Sequence, residues 1–191
     1  MSTILKFLLF VVAAASTSLA GAADLPADGR ISLFSAEKLA SPLGAGWVAS
    51  TDAFMNGKSK VTLQVQPADA DGQAPLRVAA SVQAGFVYPF AGLAFHPGEK
   101  AGLPANLGAY NALRFKVRGD GRQYQVAMFV LGTYIPANVA FRAPAEWIEV
   151  TMPFAQFDGI DPRIVTRISF NAGPELGDYE FQLKDVRLLK L

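Results

Sequence analysis

The chain has 191 residues, of which 51% are hydrophobic, with 17 basic and 16 acidic side chains, one histidine and no cysteine. Without cysteine it forms neither disulfides nor thiolate metal sites. Its balanced charge supplies no strong positive field to hold a phosphate backbone, which excludes nucleic acid as an expected partner.

Residues 1–23 have the pattern of a secretory signal peptide. Lys6 provides a short positive region, residues 7–15 are apolar, and SLAGAAD at 18–24 supplies the small residues at which a signal peptidase cuts. The apolar run is much shorter than the roughly 20 residues that a membrane-spanning helix needs. We therefore expect an exported bacterial protein, periplasmic or secreted and without a membrane span, whose residues 24–191 form a single domain.

The sequence after the predicted signal peptide indicates mainly short β-strands. Apolar and polar residues alternate, proline or glycine lies between most runs, and no stretch keeps a helical period for three turns. We expect strands at 31–35 (an edge strand), 60–65, 76–82, 86–95, 113–119, 124–130, 138–141, 147–152, 164–171 and 179–191. This pattern predicts an all-β fold, a jelly-roll β-sandwich of antiparallel sheets. A change of apolar parity between Leu183 and Val186 predicts either a β-bulge at Lys184-Asp185 or a strand that bends between the sheets.

DAFMNGKS, at 52–59, permits two interpretations. In the first, Asp52 and Ser59 hold a ligand or cation at the end of the sandwich. In the second, Asp52 accepts backbone N–H groups, Met55 fills the core, and the Asn-Gly pair makes a turn. The residue types favour the turn. The GKS at its end lacks the upstream glycine and the strand-to-helix context of a phosphate-binding loop.

Two strands near the middle predict a hairpin. LRFKVRG (113–119) and YQVAMFV (124–130) alternate, and GDGR at 119–122 has the glycines of a tight turn. If the apolar residues of the pair face the core, the opposite face shows Arg114, Lys116, Gln125 and Phe129. Asn138, Ala140 and Arg142 extend that face if they alternate in the same way.

Polar side chains beside an aromatic ring are typical of a sugar-binding platform, because the ring covers an apolar sugar face while fixed polar groups bind the hydroxyls. The candidate ligand-binding residues are therefore Arg114, Lys116, Gln125, Phe129, Asn138 and Arg142. An ordinary solvated sheet face is the alternative interpretation, and it is the commoner one in antiparallel sandwiches. Tyr88 and Phe90 lie in so apolar a run that we expect them in the core.

No catalytic residue is predicted. His96 is alone, without the companions of a hydrolytic triad or a zinc site, and is expected at a strand end. A glycosidase needs two carboxylates across a cleft, and the sequence brings no two of its acids together; the acids considered are Glu146, Glu149, Asp158, Asp161, Glu175 and Asp178. No cofactor is predicted, and a structural calcium is compatible with the acids although no EF-hand loop is present.

Several short motifs, taken in order, resemble the complex I intermediate-associated protein 30 family. They are Trp47; D-x-x-M-x-G-x-S at Asp52, Met55, Gly57 and Ser59; GDGRQY with Gly119, Asp120, Gly121 and Tyr124; WIEVTMPFAQF at 147–157; and GDYEFQL at 177–183. The resemblance implies a galactose-binding-domain-like jelly roll, an architecture that many carbohydrate-binding modules share. The mitochondrial member that names the family is an assembly factor for NADH:ubiquinone oxidoreductase, not a catalyst.

The chain departs from the family where Asn56 replaces the second glycine of M-G-G. An exported protein also does not easily reach the matrix-side arm of a respiratory complex, so we do not transfer the assembly role. The leading hypothesis is a non-catalytic binding module of the bacterial cell envelope, for a carbohydrate-like ligand or an envelope protein. A chaperone-like or assembly-factor-like protein is the alternative, and it should expose an apolar patch. A hydrolase with paired carboxylates is less favoured.

Overall fold

The computed structural model describes residues 26–191, so the predicted signal peptide lies outside it. Three short 3₁₀ helices, Asp52–Met55, Phe154–Gln156 and Pro162–Ile164, are the helical elements of this part of the chain. None of the helices between residues 26 and 191 has the length and apolar character needed to cross a bilayer.

Strands make up the rest of the regular structure. They are β1 (Leu33–Phe34), β2 (Leu39–Ala40), β3 (Gly46–Thr51), β4 (Lys60–Val65), β5 (Leu76–Val82), β6 (Ala91–His96), β7 (Ala112–Gly119), β8 (Gln123–Val130), β9 (Ala137–Arg142), β10 (Ile148–Pro153), β11 (Val165–Ala172) and β12 (Gly177–Leu189). Sheet I has the strand order β10-β7-β12-β5-β4, and sheet II the order β3-β6-β11-β8-β9. Every pairing in both sheets is antiparallel. The predicted all-β antiparallel sandwich is confirmed.

A core rich in aromatic rings joins the two sheets. Phe115 of β7 in sheet I meets Phe170 of β11 in sheet II edge to face, with ring centroids 5.0 Å apart. Trp47 on β3 packs against Phe95 and Phe170 at 5.1 and 6.0 Å, and its indole N–H donates to the Ile31 carbonyl at 2.8 Å. Such edge-to-face and tilted pairs are favoured by the ring quadrupole and add to the apolar area that the sheets bury.

The predicted hairpin of β7 and β8 is wrong. β7 pairs with β10 and β12 in sheet I, whereas β8 pairs with β9 and β11 in sheet II. The GDGR segment therefore crosses from one sheet to the other. Each strand has one apolar side, and the two sides face each other across the core instead of lying side by side. Alternation shows that a strand is half-buried, but it does not show which strand it pairs with.

Some of the other predictions from the sequence agree with the structure and others do not. β4 and β5 have the expected bounds, and the bulge is present because the β12–β7 register shifts between Lys184 and Arg187 while Asp185 has a φ of 54°. Residues 86–90 form a loop instead of a strand, since Pro89 has no N–H for a ladder, and β3 was not predicted. Tyr88 in that loop is 71% exposed, so its expected place in the core is wrong.

Candidate functional site

The DAFMNGKS segment is a turn closed by Asp52. The Asp52 carboxylate is fully buried and accepts hydrogen bonds from the Ser59 hydroxyl at 2.7 Å, the Ser59 N–H at 3.0 Å and the Phe90 N–H at 3.4 Å. A Cβ on Gly57 would lie 2.1 Å from Asp52 Cγ, so only glycine fits there. The structure agrees with the turn interpretation, except that Met55 is exposed and does not fill the core.

The GDGRQY motif is a second carboxylate-centred turn at the same end of the sandwich. Asp120 Oδ1 accepts from the Tyr124 hydroxyl at 2.8 Å and the Arg122 N–H at 3.0 Å, while Oδ2 accepts from the Glu180 N–H at 3.0 Å. Burial, reinforced by Asp120, raises the pKa of the Tyr124 phenol well above its ordinary value, so the phenol stays neutral. Asp120 thus ties the crossing between the sheets to β12, and its carboxylate oxygens are engaged.

The outward face of sheet I is ion-paired. Arg114 lies 3.8 Å from Glu149 and Lys116 lies 3.4 Å from Asp71. Trp147, just before β10, has the Arg118 guanidinium 4.9 Å and the Lys184 ammonium 4.7 Å from its ring centroid. Because cations of the chain itself already occupy the indole, it is not a free platform for a sugar.

A pocket of about 580 Å³ opens at the rim of sheet I, between β4, β5 and the GDGR segment. Two carboxylates of its lining are already engaged: Asp120 by the turn described above, and Glu180 by Arg77, whose Nε lies 2.9 Å from Glu180 Oε1. It is larger than the pocket on sheet II described below, but these two carboxylates already have partners. We place the candidate site elsewhere for that reason.

Sheet II presents a different outward face, which we name the sheet II face. Its side chains stand in rows across the strands: His96, Arg167 and Phe129; then Val48, Ala94, Ser169, Ala127 and Asn138; then Ser50, Gly92, Asn171, Gln125 and Ala140; then Gln123 and Arg142. Neighbouring strands lie about 4.8 Å apart, so the side chains of one row are in reach of a single ligand. The β11 side chains lie in the middle of this face.

The six predicted ligand-binding residues do not share one surface. Gln125, Phe129, Asn138 and Arg142 are on the sheet II face, whereas Arg114 and Lys116 are on the outward face of sheet I, on the opposite side of the sandwich. The predicted common face is wrong because β7 and β8 belong to different sheets.

Sequence reasoning missed Arg167, Ser169 and Asn171, although RISFN lies in a predicted strand. The alternation of that segment signalled one outward side. It did not show that this side lies beside Phe129.

Three buried polar atoms of the sheet II face have no hydrogen-bond partner among residues 26–191. They are Arg167 Nε, Ser169 Oγ and Asn171 Oδ1, two residues apart along β11 and therefore on one side of it. The other two such atoms in this part of the chain, Arg30 Nε and Arg114 Nε, belong to arginines with carboxylate neighbours. An unsatisfied buried polar group costs about 1–3 kcal/mol, so three in a row require an explanation.

The surroundings of these atoms leave room for a ligand. Gly92, Ala94 and Ala127 are the small neighbours of the β11 side chains on the adjacent strands. A pocket of about 260 Å³ opens beside them and is lined by Val48, Ala49, Ser50, Thr51, Phe54, Ala94, His96 and Arg167. A row of polar groups beside a shallow pocket is suited to holding a ligand through hydrogen bonds.

His96 and Arg167 are neighbours at this pocket. His96 lies at the end of β6, as expected for a strand-end histidine, with Nδ1 3.3 Å from the Thr166 carbonyl oxygen. Burial, together with the nearby Arg167 charge, lowers the pKa of His96 below its ordinary value. The ring is therefore neutral at pH 7 and offers one donor and one acceptor.

The carboxyl groups with displaced pKa values are all shifted the wrong way for an acid catalyst. Lys184 lowers the pKa of Asp71 to about 2, Arg163 lowers that of Asp161, and Arg77 lowers that of Glu180. A glycosidase acid needs a raised pKa. Within residues 26–191, no three or more His, Cys, Asp or Glu side chains are grouped as a metal site requires.

Comparison with known proteins identifies the family. The family model described as Complex I intermediate-associated protein 30 (CIA30) matches residues 34–161. The chain belongs to the CIA30 family. No curated protein sequence matches the chain.

Solved structures similar to this CIA30 chain include carbohydrate-binding modules and agarases. One is the family 30 carbohydrate-binding module of a cellulosomal cellulase of Clostridium thermocellum, with 18% identity, a TM-score of 0.53, and coverage of 70% of this chain and 91% of that one. Another is CBM4, with 18% identity, a TM-score of 0.51, and coverage of 76% and 87%. The agarase AgWH50C has 14% identity and a TM-score of 0.56, covering 85% of this chain and 25% of that one. At these identities the likeness establishes the fold, the galactose-binding-like jelly roll.

The carboxylates of the CIA30 motifs do not belong to the candidate site in this chain. The motif carboxylates Asp52 and Asp120 close turns, and Asn56 has a φ of 61°, a left-handed conformation in which asparagine replaces the family glycine with little strain. The family match ends at residue 161, before β11 begins. Arg167, Ser169 and Asn171 therefore lie beyond the residues that the family model matches.

Proposed function

We propose that this protein is a non-catalytic binding module, exported to the bacterial cell envelope, that holds a carbohydrate on the sheet II face. The observation that carries the proposal is the row of buried, unpartnered polar atoms on β11, Arg167 Nε, Ser169 Oγ and Asn171 Oδ1. A bound sugar hydroxyl donates and accepts hydrogen bonds, so it satisfies all three kinds of atom. Export is inferred from the N-terminal sequence alone.

The rest of the sheet II face complements a sugar. Gln125 and Asn138 add amide donors and acceptors on β8 and β9, next to the β11 row. The small residues Ala94 and Ala127 let a flat ring approach the sheet closely. Similarity in fold to modules named for carbohydrate binding supports this choice of ligand.

Binding without catalysis fits the carboxyl groups of the chain. Asp71, Asp161 and Glu180 are held ionised by cations, and the five strands of sheet II contain no aspartate or glutamate. Glycoside hydrolysis needs a proton donor beside the bond that breaks, and the sheet II face provides none. The hydrolase alternative therefore has no support at this site.

Titration calorimetry with a panel of neutral and charged oligosaccharides tests the proposal. Asn171→Ala should weaken binding roughly tenfold, the loss expected for one or two hydrogen bonds of about 1 kcal/mol each. The matched control is Arg114→Ala, on the opposite face of the sandwich, which should leave the affinity unchanged. Loss of binding in Arg114→Ala but not in Asn171→Ala would refute the site, and no binding to any saccharide would refute the function.

A protein partner is the second candidate, and the end of the sandwich that carries the two CIA30 turns favours it. Phe54 is 68%, Val87 79% and Tyr88 71% exposed, and Met55 and Leu176 are exposed in the same group of loops. Such apolar loop tips are typical of an interaction surface. If a partner binds there, Tyr88→Ser should abolish its capture from envelope extracts and leave saccharide affinity intact.

A further inference from the structure

The sheet II face differs from the rest of the molecule in its charge. Its strands contain Arg142 and Arg167 and no acidic residue, and its one histidine is neutral at pH 7 because burial and Arg167 lower its pKa. In sheet I, three of the four arginines face carboxylates: Arg77 faces Glu180, Arg114 faces Glu149, and Arg187 faces Asp185. The fourth, Arg118, donates to the Gln182 amide oxygen. Most arginines of sheet I are therefore paired with carboxylates, whereas Arg142 and Arg167 of sheet II form no ion pair within residues 26–191.

Arg167 is the cation of the sheet II face on which the inference depends. Its guanidinium carbon lies 3.7 Å from the centroid of the Phe129 ring, and Arg167 forms no ion pair with any residue of 26–191. Burial lowers the pKa of this guanidinium from its ordinary value, yet arginine stays charged at neutral pH. A partly buried charge without a counter-ion is unfavourable for the folded chain on its own.

Phe129 gives Arg167 a defined orientation. Stacking on the ring restrains the guanidinium, so less side-chain freedom is lost when it binds a ligand. The same stacking covers one face of the Phe129 ring. Phe129 therefore acts as a support for Arg167, and the guanidinium takes the central position that the sequence analysis gave to the ring.

We infer that the ligand of the sheet II face is an anionic saccharide whose carboxylate or sulfate group binds Arg167, with Ser169 and Asn171 holding the adjacent hydroxyls. A guanidinium binds an oxyanion through two parallel N–H donors, which are stronger than bonds between neutral groups. Arg167 Nε is a buried donor without a partner among residues 26–191, and the row of Ser169 and Asn171 continues along β11. This inference rests on the proposed carbohydrate-binding function.

Pairs of polysaccharides that share a backbone but differ in charge show whether the affinity depends on the charge of the ligand or on its shape. Polygalacturonate and its fully methyl-esterified form share a backbone but differ in charge, and a sulfated galactan and its desulfated form do the same for sulfate. We expect at least tenfold tighter binding to one charged member than to its neutral counterpart, with an affinity that falls as salt rises. The pair that shows the difference identifies the anion as carboxylate or sulfate.

Variants of Arg167 assign the effect to the sheet II face. Arg167→Gln should remove the preference for the charged polymer, and Arg167→Lys should retain part of it because the charge remains while the fork of donors is lost. The matched control is Arg163→Gln, which replaces an exposed arginine of the 3₁₀ helix Pro162–Ile164 paired with Asp161. It makes the same change in net charge and should leave both affinities unchanged. Melting temperatures of all variants show that each is folded.

The melting temperature of Arg167→Gln distinguishes a binding role of Arg167 from a structural one. An arginine that holds the fold together should lower the melting temperature when it is replaced, whereas an unneutralised binding arginine should leave it unchanged or raise it.

Equal affinity for charged and neutral polymers, or an unchanged preference in Arg167→Gln, would overturn the inference and leave the proposed function standing. If the protein binds no saccharide at all, both the inference and the proposed function are overturned.

Discussion

At the scale of single residues, two buried serines of this chain have opposite roles. Ser59 donates to Asp52 at 2.7 Å and accepts from the Gln83 N–H at 3.1 Å, so its hydroxyl is a structural part of a turn. Ser169 is fully buried on β11, and its hydroxyl has no partner among residues 26–191. Burial alone does not distinguish the two serines, but their hydrogen bonds do.

Replacing each serine with alanine should separate stability from binding. Ser59→Ala should lower the free energy of unfolding by about 1–3 kcal/mol, because it removes one donor of the buried Asp52 carboxylate and leaves the Gln83 N–H without its acceptor. Ser169→Ala should leave it unchanged or slightly raised, since no hydrogen bond is lost, while weakening saccharide binding. Urea denaturation and calorimetry measure the two effects, and a large destabilisation by Ser169→Ala would contradict the proposed site.

At the scale of elements, an ion cluster fastens the β4–β5 connection to the outward face of sheet I. The Lys184 ammonium, on β12 next to the bulge, contacts both Asp69 and Asp71, the latter at 2.9 Å. Burial opposes the charge of Lys184, but hydrogen bonds to the two carboxylates outweigh it and raise its pKa. The same contacts lower the pKa of Asp71 to about 2, with Lys184 the largest cause.

Acid should weaken this ion cluster in a defined range of pH. Because the folded pKa of Asp71 lies below its unfolded value, the carboxylate stabilises the fold above about pH 4, and this contribution is lost as the pH falls towards 2. The difference in melting temperature between wild type and Asp71→Asn should therefore shrink over that range. Glu99→Gln, an exposed loop substitution, serves as the control for general charge effects. A difference independent of pH would contradict the assignment.

At the scale of the whole molecule, the crossing at residues 119–122 determines which side chains share a surface. In a hairpin, Lys116 and Gln125 would lie opposite each other, with Cβ atoms about 5 Å apart. In the sandwich they point outward from different sheets, which pack about 10 Å apart. This single connection therefore decides whether the polar residues of β7 and β8 form one site or belong to two faces.

A distance measurement tests the crossing directly. The chain contains no cysteine, so spin labels attached at Lys116→Cys and Gln125→Cys report on those positions alone. We expect a separation greater than about 20 Å, from the spacing of the sheets plus the two outward arms of the labels. Labels at Gln125→Cys and Ala140→Cys, which are cross-strand neighbours on β8 and β9, provide the short-distance control. A short distance for the first pair would restore the hairpin.

The amino-acid sequence determined the features that depend on neighbours along the chain. The strands β4 and β5, the bulge beside Lys184 and the turn at Asp52 were all predicted from alternation, parity and turn residues, because these act over a few positions. The order of short motifs was also sufficient to indicate the CIA30 family and the jelly roll that goes with it.

Only the tertiary structure decided which strands pair with each other, and this pairing determines which residues form the candidate site. Alternation gives every strand an apolar and a polar side but carries no information on the sheet to which it belongs. Arg167 meets Phe129 because β11 pairs with β8, and Arg114 is separated from Gln125 because β7 does not. These pairings arise from packing two sheets around one core, a property of the whole chain and not of any segment of it.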